Sequence, residues 1–196
     1  MTTPRPLVLA SASPRRRALL EGAGLSFEVR PADLPEERQP GEKPEDFAVR
    51  LAAEKARAGA DGLGRGRFVL GADTIVVLDA DVLGKPRDPE HAVALLTRLV
   101  GRSHEVITGV AVVETSTGSL RVTRVSSQVE MRAANGQEVR SYIATGESLD
   151  KAGAYALQGR GRRFVRAVRG SETNVIGLPV EETLELLRAA GWRPAP

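Results

Sequence analysis

Residues 68–78 read Phe-Val-Leu-Gly-Ala-Asp-Thr-Ile-Val-Val-Leu. The run is nearly all apolar and rich in β-branched side chains, which is the pattern of a central strand buried on both faces. One residue breaks it. Asp73 runs against strand propensity, and a carboxylate is costly to bury unpaired. It requires a metal, a cation or a reacting water beside it. A strand-end aspartate capping a turn is the plainer alternative, but Thr74 to Asp79 continues the strand, which favours the functional reading.

Outward from this strand, helical and extended patterns alternate. Upstream, Leu7 to Ala10 is a short strand. Ser13-Pro14 gives an N-cap with proline at the first helical position, and Gly24 stops the helix near Ala23. Phe27 to Arg30 reads as a second strand and residues 31–44 as a charged, proline-rich loop. Pro44 opens a helix ending near Gly59. Downstream, Asp79-Ala80-Asp81 is a turn. Asp88-Pro89 caps a helix with Ala92, Leu95, Leu96 and Leu99 on one face. Val106 to Val113 and Leu120 to Met131 form a hairpin across Thr115 to Ser119. Val125, Val129 and Met131 face one way in its second arm, and Arg124, Gln128 and Glu130 the other. A helix near Gln137 to Ala144, a glycine-rich loop region from Gly146 to Gly161, a strand from Phe164 to Val168 and a helix from Pro179 to Ala190 complete the chain. This order predicts an α/β fold, a mixed sheet with flanking helices.

The 196 residues bound the answer to one domain or two tightly joined lobes. Hydrophobic residues make up 41%, which suits a packed core. No apolar run is long enough to span a bilayer. Pro4, Arg5 and Pro6 lead straight into the first apolar run, so a signal peptide is not expected. The absence of cysteine excludes disulfides and thiolate chemistry and fits a reducing cytosol, so a cytoplasmic location is expected. Net charge is +3, and the excess is nearly all arginine. The four lysines, Lys43, Lys55, Lys85 and Lys151, therefore draw attention as point charges.

Several short stretches can carry chemistry. Ser11-Ala12-Ser13-Pro14-Arg15-Arg16 opens a helix at a strand end, where free N–H groups, hydroxyls and guanidiniums suit phosphate oxygens. Read alone, a capped surface helix with solvated arginines is by a small margin the better reading. Lys55 shares a helix face with Ala48 and Leu51, so it either points into a cleft or snorkels to solvent. Lys85, between Gly84 and Pro86, lies in a loop that is not a P-loop. Residues 146–161, GESLDKAGAYALQGRG, suggest a loop folded closely around something, because Tyr155, Ala156 and Leu157 would be odd in a flexible one. His91 and His104 have no partner at metal-ligand spacing and read as structural or surface residues. Arg160, Arg162, Arg163, Arg166 and Arg169 could track a nucleic-acid backbone, but no aromatics are interleaved with them. A solvated face is the better reading.

Taken in order, ASASPRR, Glu36, Glu54-Lys55-Ala56, GADT, GKPRD, HEVITGV, LDKAGAYALQG, and Gly170 through NVIGLP resemble the Maf family of nucleotide pyrophosphatases over nearly the whole chain. The resemblance implies one Maf-type domain over residues 1–196, similar to the inosine triphosphatase fold, with two lobes around a central cleft. It further implies hydrolysis of a nucleoside triphosphate to the monophosphate and pyrophosphate, a divalent metal (Mg²⁺ or Mn²⁺), and often a homodimer. No nucleic-acid or membrane partner is implied. By position, Asp73 matches the family's proton acceptor. Ser11, Ser13, Arg15, Arg16, Glu36, Lys55 and Lys85 match its phosphate- and metal-handling set, with Asp73 and Glu36 as metal ligands. Arg15, Thr74 and Gln158 match the specificity positions of the branch that prefers dTTP and UTP. Pro35, Ser148 and Thr173 depart from common usage.

Two other classes use the same residues differently. A non-catalytic nucleotide sensor would bind without turnover, and a nucleic-acid binder would use the Arg160–Arg169 stretch and weaken steeply with salt. The enzymatic reading requires residues 11–16, 36, 55, 73, 85 and 158 to converge on one pocket.

Overall fold

The computed structural model describes residues 6–194; Pro4 and Arg5, on which the signal-peptide expectation rests, lie outside them. The chain runs β1 (Leu7–Leu9), α1 (Pro14–Gly22), β2 (Phe27–Val29), α2 (Pro44–Ala60), β3 (Phe68–Leu78), β4 (Asp81–Leu83), α3 (Pro89–Leu99), β5 (Ser103–Glu114), β6 (Leu120–Met131), α4 (Gly136–Ile143), β7 (Val165–Arg169), α5 (Glu172–Ile176) and α6 (Val180–Ala189). The strands form a seven-stranded sheet in the order β2-β1-β3-β5-β6-β7, with β4 beside β3. β1 pairs parallel with β2 and β3, whereas β3–β4 and β6–β7 are antiparallel. The fold is therefore mixed α/β, as the alternation of patterns predicts. No helix among the described residues is long and apolar enough to cross a membrane.

The expected caps form. Ser13 Oγ accepts the Arg16 amide with Pro14 in the first turn, and Asp88 Oδ1 accepts the His91 amide. Asn135 and Glu138 close a reciprocal capping box on α4.

The chain forms two compact units. The first comprises residues 1–73, 108–125 and 177–196, and the second residues 74–107 and 126–176. In the first unit the β3 pleat separates two apolar layers. Phe68, Leu70 and Ala72 join Leu7, Leu9, Val110 and Val112 against Leu20, Leu178, Leu187 and Trp192. On the other face Val69 joins Val8, Ala10, Ala111 and Val113 against Ala52, Ala53 and Ala56 of α2. This is the double-faced burial that the nearly all-apolar run of residues 68–78 demands.

The second unit packs Ala92, Leu95, Leu96 and Leu99 of α3 and Val139, Tyr142 and Ile143 of α4 around Val76, Leu78, Val106, Val129 and Met131. Tyr155, Leu157 and Phe164 belong to the same core. The glycine-rich stretch is packed, in line with Tyr155, Ala156 and Leu157 being odd in a flexible loop, and it holds 3-10 turns at Ala152–Ala154 and Gly159–Phe164. Its glycines give helix propensity no foothold, so its order comes from tertiary contacts.

Candidate active site

The first unit places α2 unusually close to the sheet. A Cβ added to Gly71 would lie 2.3 Å from the Ala52 carbonyl oxygen, and one added to Gly109 would lie 2.3 Å from that of Ala48. These glycines let the helix backbone rest directly on β3 and β5. Asp73 lies two residues beyond Gly71, so its side chain leaves the same face of the strand. Lys55 lies three residues beyond Ala52 on the helix. The two meet, with Lys55 Nζ 2.5 Å from Asp73 Oδ1 and also 2.6 Å from Glu36 Oε1. Lys55 and Asp73 are each 6% exposed, so Lys55 does not snorkel to solvent. The cation that the buried aspartate requires is the Lys55 ammonium.

Glu36 reaches this cluster from the charged loop, whose shape is set by a residue the sequence reading passed over. Arg50, on α2, donates to Glu42 Oε1 and Oε2 at 2.7 and 2.9 Å, to Glu54, and to the Glu37 carbonyl at 2.9 Å. Glu42 also accepts the Gln39 amide. The Arg50 hydrogen bonds hold the Glu42 carboxyl at about 2, despite a smaller opposing effect of burial. Glu42 in turn raises the Arg50 guanidinium. The i,i+4 spacing of Arg50 and Glu54 was the visible signal; the longer reach to Glu42 was not.

At the start of α1, Arg16 donates to Ser11 Oγ at 3.1 Å and to the Gly177 carbonyl at 2.8 Å. Ser11 Oγ also accepts the Ser13 amide. Burial lowers the Arg16 pKa. The Asp73 carboxylate opposes that, the neighbouring Arg15 charge adds to it, and the Glu36 carboxylate opposes it. Arg16 thus lies within the field of the Glu36–Lys55–Asp73 cluster. Arg15 is partly buried beside it. Ser11, Ser13, Arg15, Arg16, Glu36, Lys55 and Asp73 all belong to the first unit, and Gly177, from the NVIGLP stretch, is the anchor that sequence reasoning left without a role.

Among the described residues no group of three or more His, Asp or Glu could hold a metal ion. Asp73 and Glu36 nevertheless direct one oxygen each at a single cationic point. Two convergent carboxylate oxygens are the donor set with which a hard divalent cation binds when phosphate oxygens and water complete its shell.

Thr74, Lys85 and Gln158 lie in the second unit. Thr74 follows Asp73 in β3 and is half-buried; Lys85 and Gln158 are exposed. The Gly153 amide donates to the Gly84 carbonyl at 3.1 Å, which ties the Lys85 loop to the segment leading to Gln158. His104 is buried against Tyr155, with Nε2 2.7 Å from the hydroxyl, and burial lowers its pKa to about 4. His91 is partly buried, and its Nδ1 accepts the Arg87 amide. In the arginine stretch Arg162 bonds the Val165 carbonyl, Arg163 the Glu138 carbonyl, and Arg166 pairs with Glu130. These three arginines are exposed and bonded within the chain.

Residues 6–190 match the family model described as Maf-like protein. A protein of Geobacter sp. (strain M21) named "dTTP/UTP pyrophosphatase" is 50% identical over 185 residues, covering 94% of this chain and 95% of that protein. One of the same name from Anaeromyxobacter dehalogenans (strain 2CP-C) is 52% identical over 189 residues, covering 95% and 94%. A solved structure titled nucleoside-triphosphatase / dITP/XTP pyrophosphatase, from Mycobacterium abscessus, aligns at 16% identity and a TM-score of 0.46 over 95% of this chain and 96% of that one, too distant a likeness to argue from. The family match and the near-full-length identities agree with the order of motifs along the sequence, and the chain belongs to the Maf family.

Proposed function

We propose that the chain acts as a single Maf-type domain over residues 1–196, a nucleoside triphosphate pyrophosphatase acting on dTTP and UTP in the cytoplasm. The observation that carries this reading is the Glu36–Lys55–Asp73 cluster, set within the field of Arg16 at the start of α1. Its substrate preference is supported by near-full-length identity of about half to relatives named for those two nucleotides.

The chemistry follows from the charges. A triphosphate is a polyanion, and Arg15, Arg16, Ser11 and Ser13 offer it guanidinium, hydroxyl and helix N-terminal donors. Asp73 orients a water and takes its proton while the water oxygen bonds to the α-phosphorus. The α–β bridging P–O bond breaks, and pyrophosphate leaves with the electron pair. Lys55 holds Asp73 in place by the 2.5 Å contact, and the cationic residues neutralise charge developing on the leaving group. A divalent cation held by Asp73 and Glu36, Mg²⁺ or Mn²⁺, supplies further neutralisation of phosphate oxygens. Lys85 adds a positive charge for the phosphates, and Arg15, Thr74 and Gln158 set the preference for a pyrimidine. The Gln158 carboxamide has both a donor and an acceptor, matching the mixed edge of that base.

The test is a screen of nucleoside triphosphates with pyrophosphate detection, with Mg²⁺ or Mn²⁺ and with chelator. Pyrophosphate and monophosphate released from dTTP and UTP, and lost on chelation, are the expected outcome. Tight nucleotide binding without pyrophosphate release would instead identify a sensing module.

A further inference from the structure

The segment that ends at Gln158 is held at both ends by side chains outside the cluster described above. Upstream, three residues before Gln158, Tyr155 is 5% exposed and its hydroxyl is hydrogen-bonded to the buried His104 ring at 2.7 Å. The two rings meet edge to face at 5.3 Å. Ala156 and Leu157 follow, both buried. Downstream, the Glu147 carboxylate accepts the Arg160 amide at 2.9 Å and the Gly161 amide at 2.9 Å. Glu147 is itself held by the hydroxyl of the fully buried Tyr142 at 3.1 Å.

The glycines belong to the same device. Gly159 has φ +77°, and a Cβ there would meet Glu147 Oε2 at 2.8 Å. A Cβ on Gly161 would meet the Ala156 carbonyl oxygen at 2.5 Å. The backbone therefore wraps around one carboxylate, and Gln158 is the exposed residue between two fixed points. Burial raises the Glu147 carboxyl, but its amide and hydroxyl donors and the nearby Lys151 charge outweigh that and hold it below the usual range.

Resting on the proposed function, we infer that Glu147 and the His104–Tyr155 pair are positioning residues that fix the backbone around Gln158, so that its carboxamide meets the pyrimidine in one orientation and base selectivity depends on them. A backbone held in advance leaves less freedom to be lost on binding, and the base that matches the carboxamide presented from it gains most. Glu147 touches no substrate in this scheme; it acts through the amides of Arg160 and Gly161.

The test compares binding of α,β-imido-dUTP and α,β-imido-dGTP, each with Mg²⁺, by calorimetry. The proteins are wild type, Gln158→Ala, Glu147→Gln, Tyr155→Phe and the doubles of each clamp variant with Gln158→Ala. Wild type should favour the pyrimidine analogue. Gln158→Ala and each clamp variant should narrow that preference by about tenfold, the scale of one well-placed hydrogen bond. The doubles should narrow it no further than Gln158→Ala does.

A purely structural role predicts that affinity for both analogues falls together with the ratio unchanged. That result, or effects that multiply in the doubles, would overturn the inference. Tyr155→Phe deletes one hydroxyl and decides the matter if Glu147→Gln fails to fold. A wild-type protein that prefers the pyrimidine analogue yet releases no pyrophosphate from dTTP removes the catalytic reading alone and leaves the clamp to be judged on binding. A wild-type protein with no preference overturns the clamp.

Discussion

Lys55 Nζ lies 2.5 Å from Asp73 Oδ1 in a site where both side chains are buried, and the same ammonium holds Glu36 at 2.6 Å. The relationship is asymmetric. Removing the lysine takes away the one ammonium that contacts both carboxylates, whereas neutralising Asp73 leaves Lys55 still paired to Glu36. Lys55→Met should therefore destabilise the fold by about 3–5 kcal/mol. Asp73→Asn should cost clearly less. Urea unfolding midpoints of the two variants check this order, and equal losses would contradict it.

Turnover should report on Asp73 more sharply than stability does. Asp73→Asn should lower pyrophosphate release by about 10²- to 10⁴-fold, the range of a lost general base. Nucleotide affinity should be largely kept. Single-turnover rates beside equilibrium binding separate the two effects, and wild-type turnover in this variant would remove Asp73 from the mechanism.

Gly71→Ala is a test of how α2 is seated. The added methyl would sit 2.3 Å from the Ala52 carbonyl and 2.5 Å from the Ala56 nitrogen, both rigid backbone. Overpacking there should cost about 1–3 kcal/mol or more, and it should also depress turnover by shifting Lys55 away from Asp73. A stable, fully active Gly71→Ala protein would show that the helix can give way.

The Arg50–Glu42 pair should appear in acid. Because the folded-state carboxyl of Glu42 is held at about 2 against an ordinary 4.5, its contribution is present above about 4.5 and is lost as pH falls toward 2. Thermal melts of wild type and Glu42→Gln should therefore differ most near neutrality and converge at low pH. Glu42→Gln should also weaken pyrophosphate release, since the loop that carries Glu36 loses its brace.

His104 should act in a higher window. Burial lowers its pKa from 6.5 to about 4, so the neutral ring is the form the fold accommodates. Stability tied to it is present above 6.5 and falls as pH drops through 4. His104→Gln should flatten the melting-temperature profile between those values, and an unchanged slope would count against the assignment.

Much of this was legible in the sequence for a physical reason. Asp73 stood out because an apolar strand makes any charge conspicuous, and the helix positions of Ala48, Leu51 and Lys55 fixed which face the lysine shares. The alternation of elements gave the mixed sheet. What stayed hidden depended on long-range contact. Nothing in GESLDKAGAYALQGRG indicates that Glu147 would gather the amides of Arg160 and Gly161. Short elements such as Asp81–Leu83 and Glu172–Ile176 carry too few residues to display a period. Arg50 reads from sequence as one more helix-surface arginine, and only its reach to Glu42 and the Glu37 carbonyl makes it a brace.

The division of the chain into units has a practical consequence. The backbone passes from one unit to the other four times, at Asp73–Thr74, Ile107–Thr108, Val125–Ser126 and Ile176–Gly177. Neither half is a continuous stretch of sequence, so no single truncation can excise a self-sufficient piece. Each must also wait for distant segments to return before it can close, which raises the entropic threshold for folding. Dissection of this protein therefore belongs to point substitution and circular permutation, and a fragment expressed from either end should emerge unfolded.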